Sequence, residues 1–378
     1  TNGGATWTPG TVAAPSTYAF INLWAIDANT AWAALYNTAG AGSGIYKTTT
    51  GGGTWNQSGS GTIFNTSTSF INTVYFSDAN NGFALGDPAG GYFEIYTTTN
   101  GGTTWTRTPQ ANIPAILSSE YGTNKGWDVI GTTIWFTTTR GRVFKSTDLG
   151  LNWTVATGGI SSGTASADIA MRTTTEGLMS LNGTLKKTTD GGATWTSVTI
   201  SSGTLHTADL ETIPNGTAYV STGAGVGNYG SSYSLDAGAN WITIDAGGTS
   251  IEQHTAQGWV NGTTGWCGGF NTSATADGVF KFDGTSLGIT ALNNDYTRMR
   301  MFPNPSNGQF TLQIAGAETQ NAVVKIVDVV GNVVFESFVP NNSTLIEKQV
   351  NMSTAAKGVY FVTVENGINR FVNKIVIE

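Results

Sequence analysis

Ser146-Thr147-Asp148-Leu149-Gly150-Leu151-Asn152-Trp153 decides how this chain is read. Its grammar is Ser or Thr, any residue, Asp, any, Gly, any, Thr or Asn, Trp. The same grammar returns at Thr188–Trp195, with Asp190 and Gly192, and at Ser234–Trp241, with Asp236 and Gly238. Looser copies run Thr98–Trp105, with Asn100 in place of Asp, and Thr48–Trp55, with Thr50 there. A truncated copy, Asn2, Gly4, Thr6 and Trp7, opens the chain. The tryptophans at 7, 55, 105, 153, 195 and 241 stand 42 to 50 residues apart. A period in the forties with short strands between the marks is the signature of a propeller or another repeat array.

Local physics makes each copy a hairpin. β-prone residues lead into it, as in Phe93-Glu94-Ile95-Tyr96 and Arg142-Val143-Phe144-Lys145. The Asp carboxylate accepts bonds from backbone amides just ahead, and Gly takes a positive φ cheaply. The Trp buries a large ring whose N–H needs a partner. The pattern resembles the Asp-box of sialidase-like, sortilin-like and photosystem-assembly β-propellers. There the box joins the third and fourth strands of each blade and is a folding device. The resemblance therefore implies a structural role for Asp148, Gly150, Trp153, Asp190, Gly192, Trp195, Asp236, Gly238 and Trp241.

Composition agrees with an all-β chain of many short strands and turns. Charged residues are only 11% and glycines number 51 in 378 residues, against about 25% charged in ordinary domains. No apolar stretch reaches the ~18 residues of a membrane helix. The chain opens without Met or a leader, which reads as a start after processing. The one cysteine, Cys267, rules out an internal disulfide and reads as a small core residue. Residues 1–297 carry 10 Lys+Arg against 18 Asp+Glu, and residues 298–378 carry 7 against 6. An acidic first part without basic clusters argues against nucleic acid as a partner.

Residues 1–285 read as a six-bladed propeller, with seven blades as the alternative. The phrase Phe20–Ile26, Asp27-Ala28-Asn29-Thr30, Ala31–Leu35 returns as Phe70–Phe76, Asp78–Gly82, Phe83–Asp87. Sheet edges left open invite unwanted pairing, so the N-terminal Ala5-Thr6-Trp7-Thr8 is expected to complete the last blade, which ends at Asp283-Gly284. Residues 286–300 read as a linker. From Met301 the grammar changes to period-2 strands at Phe310–Ile314, Ala322–Val327, Val333–Phe338, Leu345–Val350, Val359–Glu365 and Phe371–Ile377. Six short strands in residues 301–378 read as an Ig-like β-sandwich.

This last segment resembles the type A C-terminal sorting domain of the type IX secretion system. Four features carry the resemblance, in order. They are Pro303-Asn304-Pro305 with Gly308, Asp328 with Gly331, Gly358 with Tyr360, and Lys374-Ile375-Val376. The resemblance implies passage through the periplasm of a Gram-negative bacterium and export through an outer-membrane translocon barrel. It also implies collection by a shuttle protein and handling by a surface sortase, so that the product ends secreted or on the cell surface. The terminal strands of such a fold are expected to be what the machinery reads, by pairing at an edge or filling a pocket.

The first part is expected to bind rather than to turn over a substrate. A sialidase-like glycan hydrolase, the alternative, needs three Arg to clamp a carboxylate and a Tyr–Glu nucleophile pair. Only Arg107, Arg140, Arg142 and Arg172 are present there, and the Arg-Ile-Pro signature is missing. His206 and His254 lie one period apart, as equivalent positions on neighbouring inner strands. They could line a channel, but no third His or Cys completes a metal site, and no cofactor is expected. Asn22, Asn72, Asp128, Asp168 and Asp209 recur near the start of inner strands. They either ring a central channel as acceptors for a small ligand or cation, or bond neighbouring backbone. Trp24, Trp127, Trp135, Trp259 and Trp266 stand outside the repeats; any exposed together would suggest contact with a surface glycan or protein. Adhesion is the working expectation.

Overall fold

The computed structural model describes residues 11–40, 42–59, 63–214, 216–245, 253–273, 276–282, 284, 287, 299–315, 321–340, 345–366 and 369–378. Among these the chain is all-β except for one short turn of 3-10 helix at Gln110–Asn112. Among the described residues no helix is long and apolar enough to cross a membrane. The chain divides into two compact units, Thr1–Thr285 and Ser286–Glu378.

The first unit is a series of four-stranded antiparallel meanders. The first sheet is Tyr18–Ala25, Ala31–Asn37, Ser43–Thr48 and Asn56–Ser58; the second is Ile71–Phe76, Gly82–Pro88, Phe93–Thr98 and Thr106–Arg107. The third is Trp127–Ile130, Thr133–Thr137, Val143–Ser146 and Thr154–Ala156; the fourth is Asp168–Met171, Gly177–Leu181, Thr184–Thr188 and Thr196–Ser197. The fifth is Asp209–Thr212, Tyr219–Gly225, Asn228–Ser234 and Ile242–Asp245. A sixth sheet has three described strands, Gln257–Asn261, Thr264–Ser273 and Ala276–Lys281. The N-terminal segment assigned to complete it, with Asn2, Gly4, Thr6 and Trp7, lies outside the described residues.

The first hairpins of the first two sheets are each set by an Asp turn. Asp27 Oδ1 accepts from the N–H groups of Asn29 and Thr30 at 2.7 and 2.8 Å, and Asp78 does the same for Asn80 and Asn81. The second strands of the first five sheets are buried on both faces, as strands sandwiched between layers are. Ala31–Leu35 and Gly82–Gly86 accordingly read as near-continuous small and apolar runs.

First strands of different sheets converge on one region. The Trp24 ring of the first sheet lies 4.6 Å from Tyr75 of the second and 6.2 Å from Trp127 of the third, and its Nε1–H donates to Phe76 O at 2.9 Å. Lys125, just ahead of the third sheet, donates across to Ala208 O, just ahead of the fifth. First strands that meet this way, with later strands running outward, are the arrangement of a propeller.

The second unit packs two sheets on one core. The three-stranded sheet places Gln309–Ala315 between Met299–Phe302 and Leu345–Asn351. The four-stranded sheet runs Val333–Val339, Ala322–Val327, Gly358–Asn366, Asn369–Ile377. Alternate residues face inward, so Leu312 and Ile314 meet Val324, Ile326, Val362 and Ile375, all fully buried. The six strands read from the period-2 pattern are all present. Met299 and Arg300, read as the end of a linker, belong instead to a strand that pairs with Gln313 and Ile314. Linker residues 286 and 288–298 lie outside the described residues.

Candidate functional site

The side chains that define the repeat turn bond within the turn itself. Asp148 Oδ1 accepts from Leu151 N at 3.1 Å and Asn152 N at 2.9 Å, while Oδ2 accepts from the Asn152 amide at 2.7 Å. Ser146 Oγ donates to Asp148 at 2.8 Å and accepts from Gly150 N at 2.9 Å. Trp153 Nε1–H donates to Gly150 O at 3.0 Å. Leu149 and Gly150 sit at φ +57° and +91°, which explains why glycine is the constant residue of the turn. Asp190, Gly192 and Trp195 repeat the set, as do Asp236, Gly238 and Trp241. The bonds from Thr194 hold the Asp190 carboxyl down at about 2.

Three of the five recurring inner-strand positions, Asn22, Asp128 and Asp209, bond the backbone of the next sheet. Asn22 Oδ1 accepts from Val74 N at 2.9 Å, linking the first sheet to the second. Asp128 Oδ2 accepts from Met171 N at 2.5 Å, linking third to fourth, and Asp209 Oδ2 accepts from Gln257 N at 2.8 Å, linking fifth to sixth. Asn72 acts through a relay. Its Nδ2 donates to Asp87 Oδ1 at 2.9 Å, which also accepts from Gly122 N at 3.1 Å. An inner strand is a sheet edge whose outward N–H groups need acceptors, and a carboxylate or amide one sheet back supplies them.

The same stitching buries acid. Burial pushes the Asp128 carboxyl up to about 7. Burial and the neighbouring Asp209 push Asp168 up to about 7, against the pull of Lys125. Burial, then Asp209, Asp128 and Asp168, push Glu211 well above the usual range. Glu211, Asp87 and Lys125 were not singled out by the repeat, because each stands at its position in one sheet only. Among the described residues no three His, Cys, Asp or Glu side chains are grouped to hold a metal ion.

The histidines correct one expectation. They occupy equivalent offsets, but each lies three residues ahead of its inner strand, not in it. His206 Nδ1 is 3.4 Å from Asn228 O, and His254 Nδ1 is 3.5 Å from Asp245 Oδ2. The arginines are engaged with the protein. Arg142 forms a buried pair with Glu120, with Nε to Oε1 at 2.9 Å, and Arg172 pairs with Glu176 at 2.8 Å. Burial alone would raise the Glu120 carboxyl, but Arg142, Leu117 N and Thr138 outweigh it and hold it low. Arg107 donates to Ala89 O at 2.5 Å and Arg140 to Ser118 O at 3.0 Å. Of the tryptophans outside the repeats, Trp135 is fully buried and donates to Gly191 O at 2.9 Å, while Trp24, Trp127, Trp259 and Trp266 are half-buried.

The second unit brings distant motif residues together. Asn304 Nδ2 donates to Lys374 O, and its Oδ1 accepts from Val376 N, both at 3.0 Å. Ser306 N then donates to Val376 O, and Glu378 N to Ser306 O, both at 2.9 Å. Residues 304–306 thus clasp the outer edge of the last strand, while Ile375 points into the core. At this point the outer edge of the last strand is paired within the domain. Pro303 and Pro305 flank Asn304. Gly308 has φ +91°, and a Cβ there would sit 2.6 Å from Met352 O, so the chain passes only as glycine. Asp328 builds an exposed turn, accepting from Val330 N and Asn332 N at 3.0 and 2.9 Å around Gly331 at φ +92°. Tyr360, two residues past Gly358 on the strand Gly358–Asn366, is buried, and its hydroxyl donates to Ala356 O at 2.6 Å.

Residues 300–378 match the family described as Secretion system C-terminal sorting domain. The second unit is therefore a sorting domain. The chain that carries it is a cargo of type IX secretion, exported toward the cell surface or the extracellular space. No curated protein sequence matches the chain. Among solved structures, "YCF48 bound to D1 peptide" is similar at 16% identity, covering 79% of this chain and 89% of that one, with a TM-score of 0.46. Trypanosoma rangeli sialidase is similar at 12% identity over 98% and 86%, with a TM-score of 0.38. The GH74 xyloglucanase of Xanthomonas campestris is similar at 12% over 98% and 68%, with a TM-score of 0.30. At such scores the likenesses add nothing to what the sheets themselves define.

Proposed function

We propose that the first unit is a binding module that the sorting domain delivers to the surface of a Gram-negative bacterium, where it serves adhesion or contact with a surface protein or glycan. In this reading it is a six-bladed propeller whose last blade the N-terminal strand completes, and the second unit is an Ig-like sandwich. The outer-membrane translocon barrel, its shuttle protein and the surface sortase handle residues 301–378, and the periplasm is a stage of transit. The observation that carries the delivery is the sorting-domain match, with its first and last motifs joined through Asn304. Binding is favoured over catalysis by the arginines of the first unit. Arg107, Arg140, Arg142 and Arg172 each already bond a backbone carbonyl or a glutamate.

The test is surface protease accessibility in a bacterium with this secretion route, for the full chain and a chain lacking Gly358–Glu378. The full chain is expected on the surface and the truncated one in the periplasm. Normal display of the truncated chain would overturn the delivery reading. Hydrolysis of a sialoside or polysaccharide by the purified full chain would replace the binding reading with that of a secreted glycan-acting hydrolase.

A further inference from the structure

Between the fifth and sixth sheets lies a pocket of about 190 Å³, lined among others by Asp245, His254, Trp259, Cys267, Phe280 and Phe282. The Trp259 ring is held still there. It lies over Gly265, where a Cβ would come within 2.4 Å of it. Its Nε1–H donates to Gln257 Oε1 at 2.8 Å, and Gln257 Nε2 donates in turn to Val220 O of the fifth sheet at 3.0 Å. Phe282 packs edge-on, with ring centroids 5.2 Å apart. A ring fixed from behind, at its edge and from the side loses little freedom when a ligand stacks on it.

Two polar side chains at the pocket are incompletely bonded. Asp245 Oδ2 accepts from Ser231 Oγ, but Oδ1 is buried without a partner. His254 is buried against the Phe280 ring, and its Nδ1 also lacks a hydrogen bond, 3.5 Å from Asp245 Oδ2. A buried polar atom left unpaired costs free energy that an arriving partner recovers.

We propose that this pocket binds one neutral hexopyranose ring, free or at the end of a surface glycan. The proposal rests on the reading of the first unit as a glycan-contacting module, and it adds the site and the class of sugar. A pyranose offers an apolar C–H face to the Trp259 ring and hydroxyls at its rim. One hydroxyl donates to Asp245 Oδ1. A neighbouring one meets His254 Nδ1, which accepts or donates according to its tautomer. A dry cavity of roughly 150 Å³ takes a benzene ring, so this pocket has room for a single six-membered ring. Like-charge repulsion from the Asp245 carboxylate disfavours an acidic sugar. A quaternary ammonium would also stack on Trp259, but it has no N–H or O–H to give Asp245 or His254.

Cys267, the single cysteine, lines the same pocket and reports its occupancy. The full chain is titrated with methyl glycosides of glucose, galactose and mannose, with glucuronic acid and with tetramethylammonium, while thiol labelling of Cys267 is timed by intact mass. At least one neutral glycoside is expected to slow labelling several-fold, and the acid and the cation to leave it unchanged. Trp259→Ala is expected to weaken that glycoside roughly ten-fold, and Trp259→Phe much less. Asp245→Asn is expected to weaken it several-fold. Protection of Cys267 by tetramethylammonium alone, or by no probe, would overturn the proposal. Retention of the full chain on immobilised polysaccharides of the same sugars separates the pocket from the reading beneath it. Retention without protection of Cys267 leaves glycan contact standing and removes the pocket, whereas neither retention nor protection removes both. Protection by polysaccharide as well as glycoside assigns the sugar to a glycan end, and protection by glycoside alone assigns it to a free sugar.

Discussion

Replacing Asn304 with Ala should unfasten the end of the last strand in the sorting domain. The side chain makes two bonds to that strand, to Lys374 O and from Val376 N, each 3.0 Å long. A net contribution of about 1 kcal/mol per bond gives about 2 kcal/mol for the pair. If the strand end opens locally, that loss raises the open population on the order of 30-fold. The assay is amide hydrogen exchange on the full chain at neutral pH, followed at Val376. Its amide should exchange on the order of 30-fold faster in Asn304→Ala, with no change at Val324 or Val362 in the fully buried core. Asn304→Asp keeps the acceptor for Val376 N but sets a carboxylate against Lys374 O, so it should fall between the two. Unchanged protection at Val376 in Asn304→Ala would refute the reasoning. The last strand would then be held by its pairing to Gly358–Asn366 and by the Ser306 backbone bonds, with nothing added by the Asn304 side chain.

Trp153→Ala should destabilise the first unit by roughly 3–5 kcal/mol, since it empties a ring-sized space between two sheets. Leu151→Ala, two positions away and half exposed, should change stability by less than about 0.5 kcal/mol; equal effects in denaturant unfolding would sink the packing argument. The first unit should also lose stability from pH 5 to pH 8. Burial and Asp209 raise Asp168 to about 7 from the ordinary 3.8, so between those values the folded state holds a proton that the unfolded state has lost. That contribution is full below the unfolded pKa and is lost as pH rises through about 7. Asp168→Asn should flatten the slope, whereas a melting temperature of the parent that climbs across this range would contradict it.

What was legible in the sequence is what is local along the chain. The side-chain bonds of Ser146, Asp148 and Trp153 all close within the eight residues of the repeat turn, so its grammar could be read directly. The period-2 strands of the second unit were legible for the same reason, because alternation reports a single buried face. Tertiary structure decided the rest. The recurrence of Asn22, Asp128 and Asp209 was visible, but not that each would bond the backbone of the following sheet, 43 to 52 residues on. The sorting motifs could be recognised one by one, yet only folding lays Asn304 along Lys374 and Val376, 70 and 72 residues away. Glu120 and Arg142 carry no shared pattern, and their pairing follows from two loops meeting in a buried site. Hydrophobic period and turn chemistry are short-range properties of the chain. Which polar side chain satisfies which distant backbone group depends on how the sheets pack, and the amino-acid order states that only through the fold.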